Sequence, residues 1–217
     1  MTAAEFALVF ASDEGFPTVF DYRANRGQSD FDRRHDFAAS IVWQVPGPSS
    51  GMARRALSGW SIDAMAQAQS GSPFNPTVGF DRARLQPSSN DQGQRPNAAG
   101  VPASQVILGD VNRWFDANAF TLPQAGFLGN LGRNTLIGPG LFALDLAVRK
   151  NLWHSDRQTV ALRAESYNLT NHPNFAVPSG DNLSLFDSQG QRLETAGRIT
   201  STTTTSRQIQ LSLRWSF

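Results

Sequence analysis

The chain has 217 residues, a net charge of +1 and 17% charged residues, against about a quarter in an average soluble protein. This balance excludes a nucleic-acid binder that depends on bulk positive charge, and the absence of cysteine excludes disulfide frameworks, thiol catalysis and cysteine metal sites. The longest apolar run, Phe6–Ala11, is too short for a transmembrane helix of about 20 residues.

Alternation of apolar and polar side chains with a period of two dominates the chain and is typical of β-strands with two different faces. It predicts an all-β protein with strands near residues 5–12, 37–45, 58–70, 141–152, 157–170 and 207–217. The strand near 5–12 is the weakest, because a short helix fits it nearly as well. The last strand is the clearest, since Ile209, Leu211, Leu213, Trp215 and Phe217 alternate with polar residues.

The ionised side chains of the strands fall on the faces opposite to the apolar ones. They are Asp63, Asp145, Arg149, Arg163, Glu165 and Arg214. We predict that they line a barrel interior and neutralise one another, with contact to a plug or a passing solute as the alternative. Lys150, the only lysine, lies instead on the apolar face at a strand end. Its long stem can carry the ammonium group to a membrane interface.

The connections between the strands alternate in length. Residues 46–57 and 153–156 form short turns, whereas 71–140 and 171–206 form long loops rich in Gly, Pro, Asn and Ser. Short turns on one side and long extracellular loops on the other are typical of an up-and-down barrel in an outer membrane. We therefore expect a partial antiparallel transmembrane barrel of about five or six strands.

Four tryptophans lie near the short-turn ends of the predicted strands, namely Trp43, Trp60, Trp153 and Trp215. This placement predicts an aromatic girdle at one membrane interface. The alternative is that they are ordinary core residues.

Two other patterns suggest chemistry only weakly. Gly47-Pro-Ser-Ser-Gly51 matches the nucleophile elbow of serine hydrolases, but two prolines flank it and the helix that follows is very short, so we expect a turn. The cluster Asp30, Asp32, His35 and Asp36 offers metal ligands, but Arg33 and Arg34 between them favour ion pairs. We expect no catalytic residue, no metal and no cofactor.

A series of short motifs accompanies the strands in order. They are Arg26–His35, Gly59-Trp60, Gln69–Phe74, Arg95-Pro-Asn97, Trp114-Phe-Asp116, Gly132–Thr135, Gly138-Pro-Gly140, Arg163-Ala-Glu165, Asn168–Phe175, Gly197–Thr200 and the terminal Phe217. In this order the chain resembles the C-terminal barrel portion of Oar-like TonB-dependent outer-membrane receptors, which carry a carboxypeptidase-regulatory-like domain at their N-terminus.

The resemblance implies a barrel of about 22 strands with an N-terminal plug and a motif that engages TonB. Five or six strands are too few for closure, which begins at eight, and no signal peptide or plug is apparent. We therefore expect residues 1–217 to be a C-terminal fragment, truncated or derived from a gene model that begins late, that contributes to uptake of an unidentified solute but is not transport-competent alone. Its location would be the outer membrane of a Gram-negative-type bacterium.

The expected partners are outer-membrane lipid, the remainder of the barrel and plug, and the barrel-assembly machinery, with no nucleic acid. The TonB complex would be engaged only through the missing N-terminal part. Ile209, Leu211, Leu213, Trp215 and Phe217 resemble the C-terminal signal that the barrel-assembly machinery reads, which is physically a strand addition. Two alternatives remain: a soluble all-β binding module with large loops and packed apolar faces, and a serine hydrolase that uses Ser49.

Overall fold

The computed structural model describes residues 26–84, 93–98, 100–155 and 157–217, so the predicted strand near 5–12 lies outside it. The chain divides into two compact units. The first, here called the sheet unit, comprises Arg34–Ser70, Gly140–Asn174 and Thr202–Phe217. The second, here called the loop unit, comprises residues 26–33 and the described parts of Gly71–Pro139 and Phe175–Ser201.

The described elements are mostly strands. In chain order they are β1 (Asp36–Val45), α1 (Ala53–Leu57), β2 (Trp60–Gln69), β3 (Pro73–Phe74), β4 (Asn97–Ala98), α2 (Ala103–Val106), β5 (Ile107–Asp110), β6 (Arg113–Phe115), β7 (Phe120–Thr121), β8 (Leu136–Ile137), β9 (Leu141–His154), β10 (Thr159–Tyr167) and β11 (Gln208–Ser216), with 3₁₀ turns at Ala117–Ala119 and Gly180–Leu183.

The sheet unit is one antiparallel sheet in which the strand order is β1-β2-β9-β10-β11. Each strand therefore pairs with the next long strand along the chain, as in an up-and-down barrel. The strands have 9 to 14 residues, whereas a transmembrane strand needs about 9–11. A ten-residue strand such as β2 extends about 33 Å, and at a tilt near 40° it covers an apolar band about 25 Å tall. In the described part of the chain, no helix is long and apolar enough to cross a bilayer.

The cross-strand register separates the short connections from the long ones. Val45 pairs with Trp60 at one end of the sheet, and Asp36 pairs with Gln69 at the other. Residues 46–59 and 155–158 connect strands at the first end, here called the short-turn end. Residues 70–140 and 168–207 connect strands at the opposite end. This is the alternation of short and long connections that the sequence predicts, and the five long strands begin and end within three residues of their expected bounds.

The two predicted loops, 71–140 and 171–206, are not separate or structureless. Their central parts fold together into the loop unit, where the backbone N–H of Thr77 donates to the carbonyl of Leu183 at 2.8 Å and that of Leu185 donates to Thr77 at 2.9 Å. The unit has its own hydrophobic core, formed by Phe74, Val78, Val106, Phe115, Ala119, Phe120, Leu131, Leu136, Leu185, Phe186 and Ala196. The sequence patterns did not predict this core.

Candidate functional site

The register brings the apolar residues of all five long strands onto one face of the sheet, here called the apolar face. Its large side chains are Phe37, Ile41, Trp43, Trp60, Ile62, Phe142, Leu144, Leu146, Val148, Val160, Leu162, Ile209, Leu211, Leu213 and Trp215. Many of them are exposed: Ile41 keeps 65% of its surface accessible and Leu211 keeps 71%. A water-soluble protein rarely exposes so large a continuous apolar patch, so this face requires an apolar environment.

The four predicted girdle tryptophans lie on the apolar face near the short-turn end. Trp60 is opposite Val45, two residues from Trp43, and Trp153 and Trp215 are both opposite Val160. A β-bulge in β9, where the register shifts between Val160 and Ala161, makes this possible for Trp153. Without it, Trp153 would point to the other face because side chains alternate along a strand. The grouping is that of an interfacial aromatic girdle.

Lys150 lies on the apolar face, as predicted, but its side chain is buried, with the residue only 7% exposed. Its Nζ donates to the carbonyl oxygens of Ala56, at 3.0 Å, and of Ser58. It also lies 5.1 Å from the centre of the Trp60 ring, a cation–π contact. The short turn folds back over the ammonium group, a contact that strand periodicity cannot reveal.

The predicted interior charges are partly paired with one another on the opposite face of the sheet, here called the polar face. The Arg163 guanidinium lies 3.0 Å from the Glu165 carboxylate and 4.0 Å from that of Asp63. In the register, Asp63 and Glu165 flank the small, buried Ala147 on β9. The long arginine side chain therefore reaches across this strand.

The other interior charges have different surroundings. The carboxylate of Asp145 accepts a hydrogen bond from the backbone N–H of Asn168 at 2.8 Å. It therefore pairs a backbone group directly after the end of β10. Arg149 lies opposite Arg163, and Arg214 is exposed opposite Ala161. The six charges therefore share one face, but in the described structure mutual ion pairs join only three of them.

The terminal strand β11 presents its predicted assembly signal openly. Ile209, Leu211, Leu213, Trp215 and Phe217 are all largely exposed, and the Trp215 and Phe217 rings lie 5.8 Å apart. In the described sheet, β11 pairs only with β10, and β1 pairs only with β2. Both edges therefore present backbone groups to a further strand.

Comparison with known protein families matches residues 7–210 to the outer membrane beta barrel domain. The chain belongs to this family. No curated protein and no solved structure matches the chain. An outer-membrane β-barrel domain explains the apolar face without a covering protein layer, because the outward side of such barrels contacts lipid. It also explains why the strands are longer than the usual 5–6 residues.

Sequence reasoning missed the structural role of the asparagines in the Asn168–Phe175 motif. Asn174 is fully buried; its side-chain oxygen accepts from the Phe142 N–H at 2.7 Å, and its amide nitrogen donates to the Phe142 carbonyl at 2.9 Å. It also donates to the Thr204 hydroxyl at 2.9 Å. One side chain thereby pairs both backbone groups at the start of β9, as a neighbouring strand would.

Asn168 organises the end of β10 in the same way. Its side-chain nitrogen donates to the carbonyls of His172 and Thr205 at 3.0 and 3.1 Å, and its oxygen accepts from the His172 N–H at 3.0 Å. Asn168 and Asn171 have φ angles of +49° and +51°, a left-handed conformation that Asn tolerates better than most residues. The spacing of three residues between Asn168, Asn171 and Asn174 was the sequence signal that could have indicated this structural role.

The residues of the two weak chemical patterns lie in a turn or take part in an ion pair or a hydrogen bond. Ser49 is in the exposed turn between β1 and α1, and α1 has only five residues. Asp30 pairs with Arg133 at 2.9 Å in the loop unit, whereas Asp36 accepts from Gln69 at 3.0 Å in the sheet unit. Within the described residues, no group of three or more His, Asp or Glu side chains forms a metal site.

Proposed function

We propose that this outer-membrane β-barrel domain is part of the barrel of a TonB-dependent receptor that takes up a solute across the outer membrane. The chain supplies strands and external surface to that barrel, and it does not transport alone. The resemblance to Oar-like receptors supports the receptor class, and the family supports the barrel.

The observation that carries this proposal is the combination of an exposed apolar face with two open sheet edges. A sheet with open edges cannot persist in lipid, because unpaired backbone groups there cost several kcal/mol each. Closure of a barrel of this type begins at eight strands, and the described sheet has five. The wall is therefore completed by further strands, and the same exposed face argues against a soluble binding module.

The orientation of the wall follows from its two faces and two ends. We place the apolar face against lipid and the polar face, with Asp63, Arg163 and Glu165, toward the barrel interior. The short-turn end lies on the periplasmic side. The long connections begin and end at the opposite end of the sheet, which we place on the extracellular side, where such loops contribute to ligand capture.

The partners follow from the same arrangement. The open edge of β11, with its alternating apolar residues ending at Phe217, is suited to strand addition by the barrel-assembly machinery. The plug would meet the polar face. TonB would be engaged through a segment that is not among the 217 residues, and nothing in the composition favours nucleic acid.

The test is the size of the polypeptide that carries this sequence in the outer membrane of its host. Antibodies against the loop unit are used on isolated outer membranes, and the detected band is identified by mass spectrometry. We expect a polypeptide much larger than the 23.7 kDa of this chain, with peptides from a plug and a TonB-binding segment. A band of 23.7 kDa alone would refute the receptor proposal and leave the membrane barrel.

We also expect no hydrolase activity. An active-site-directed phosphonate should not label the protein, because Ser49 lies in an exposed connection, residues 46–52, that leads to a helix of five residues, and not on the sharp strand-to-helix turn of a nucleophile elbow. Labelling that disappears in Ser49→Ala would contradict this expectation.

A further inference from the structure

The turn between β1 and β2, residues 46–59, is held over the apolar face of the sheet. Lys150 Nζ donates to the carbonyls of Ala56 and Ser58, and Trp60 Nε1 donates to the Ala56 carbonyl at 2.8 Å. The Lys150 and Trp60 side chains both belong to the apolar face. The helix α1 therefore lies over the short-turn end of this face.

The same turn presents basic and apolar side chains outward. Arg54 and Arg55 are exposed, as are Met52, at 97%, and Leu57, at 58%. The sequence from residue 46 to residue 62 contains no Asp or Glu. With Lys150, the turn carries three positive charges on the side of the sheet that contacts lipid.

The arginines are not needed to cap the C-terminal end of α1. Basic residues in the last turn of a helix often donate to its unpaired carbonyls and interact favourably with the helix dipole. Here the Arg54 carbonyl accepts from the backbone N–H of Ser58 at 3.0 Å. Lys150 and Trp60 both donate to the Ala56 carbonyl. The two guanidinium groups are left to face outward.

The level of the turn in the membrane follows from its chemistry. A buried ammonium group and irregular backbone do not fit the hydrocarbon core, whereas tryptophans concentrate at the interface. Both occur together here, because Trp60 and Lys150 are opposite one another and Trp43 is nearby. The turn therefore lies at the depth of the phospholipid headgroups.

We infer that residues 46–59 form a phospholipid-binding anchor in which Arg54 and Arg55 bind the phosphate groups of anionic phospholipids. Met52 and Leu57 enter the outer part of the acyl-chain layer, as in interfacial amphipathic segments. Lys150 positions the turn, and the unbalanced positive charge selects anionic over zwitterionic lipid. The inference rests on the lipid-facing role of the apolar face and not on solute uptake.

The test measures quenching of tryptophan fluorescence by brominated lipids, because the girdle tryptophans lie beside the turn. The polypeptide that carries these 217 residues in the outer membrane is purified into zwitterionic micelles and titrated with brominated phosphatidylglycerol and, separately, with brominated phosphatidylcholine. We expect half-maximal quenching at a clearly lower mole fraction of phosphatidylglycerol. Equal quenching by the two lipids would overturn the anchor while leaving the receptor proposal untouched.

The variants separate specific binding from bulk charge. R54Q/R55Q should raise the mole fraction of phosphatidylglycerol at half-maximal quenching by about fivefold for each arginine removed. R54K/R55K keeps the charge and should change this mole fraction little. The matched control is R33Q/R34Q, which removes an adjacent arginine pair just before β1, at the opposite end of the sheet. Equal losses in R54Q/R55Q and R33Q/R34Q would overturn the inference.

Lys150→Met tests the positioning role separately. It should abolish the preference for phosphatidylglycerol although Arg54 and Arg55 remain, because the turn is no longer held against the apolar face. Circular dichroism should show an unchanged sheet signal. A preference that persists in this variant would overturn the role assigned to Lys150.

Discussion

The two units of the chain use the same types of apolar residue in opposite ways. In the loop unit, Phe115 is fully buried, with its ring centre 5.9 Å from that of Phe74 and 6.0 Å from that of Phe120. In the sheet unit, Ile41 and Leu211 are largely exposed. The loop unit thus has the core of a protein that folds in water, whereas the sheet unit needs lipid as its apolar medium. One chain therefore contains regions built for two solvents.

The units also differ in how their backbone groups are paired. In the sheet unit, the ladders between long strands pair them, and asparagines complete the strand ends. The ladders of the loop unit are only two to four residues long, so irregular backbone–backbone hydrogen bonds and side chains share this task. Arg192 donates to the carbonyls of Ala117 and Phe120, both at 2.6 Å, and the Gln94 side chain accepts from the N–H of Ala83 at 2.9 Å. A substitution that removes such a side chain therefore affects the backbone fold directly.

The largest expected effect concerns the core of the loop unit. Phe115→Ala removes a fully buried ring and should destabilise the loop unit by about 3–5 kcal/mol, because a large cavity is left behind. Hydrogen exchange measured by mass spectrometry should show faster exchange in peptides that cover residues 103–122. Peptides from the sheet unit should change little if the two units have separate cores.

Phe127→Ala is the matched control within the same unit. Phe127 is 61% exposed, so the change should stay within about 0.5 kcal/mol. Equal effects of Phe115→Ala and Phe127→Ala would show that the loop unit does not rely on its own core, and the contrast between the two units would fail.

The next effect tests which face of the sheet contacts lipid. Ile41→Arg places a charge at the centre of β1 on the apolar face and should cost about 2–4 kcal/mol in the membrane. Ser40→Arg places the same charge one residue earlier, on the polar face, and should be nearly neutral. The measurement is the amount of protein in the outer-membrane fraction of cells that express each variant.

The two arginine variants have the same net charge and the same strand, so only the face differs. If Ser40→Arg is as damaging as Ile41→Arg, or if neither changes the outer-membrane fraction, the assignment of the two faces is wrong.

A smaller effect concerns the asparagine that pairs the start of β9. Asn174→Ala leaves the N–H and carbonyl of Phe142 without this partner and should cost about 1–3 kcal/mol, because the two bonds are part-buried and each lost hydrogen bond costs about 0.5–1.5 kcal/mol. Hydrogen exchange should rise at residues 141–144. Asn171→Gly, which keeps the left-handed conformation and removes one exposed hydrogen bond to the Arg207 N–H, should cost less than about 1 kcal/mol. Similar costs for both variants would contradict the strand-like role of Asn174.

The sheet unit was largely predictable because its signal is long and periodic. Each long strand has nine or more residues, and in most of them apolar and polar side chains alternate, although β1 also places the apolar Val42 on the polar face. The antiparallel register then brings the separate apolar faces together. The bulge in β9 was not predictable, because one extra residue only shifts the phase of the alternation. The position of Trp153 on the apolar face therefore needed the structure.

The loop unit could not be predicted in the same way. Its strands β3, β4, β7 and β8 have two residues each, which is too short to show a period. Its core is assembled from residues far apart in sequence, such as Phe74 and Phe115. The contact between Lys150 and the turn at residues 46–59 could not be predicted for the same reason, since this lysine donates to a carbonyl 94 residues away. Contacts of this kind leave no local pattern.

The smallest expected effect concerns the charges on the polar face. Arg163 pairs with Glu165 at 3.0 Å, but its side chain is 44% accessible, so solvent screens the pair. A double-mutant cycle with Arg163→Ala and Glu165→Ala should give a coupling of about 0.2–1 kcal/mol, typical of exposed pairs. If the chain belongs to a closed barrel, as proposed, the same cycle measured in that barrel should give a larger coupling, because an enclosed interior screens less. A coupling that is the same in both states would show that Arg163 faces open water and that the polar face does not line an enclosed interior.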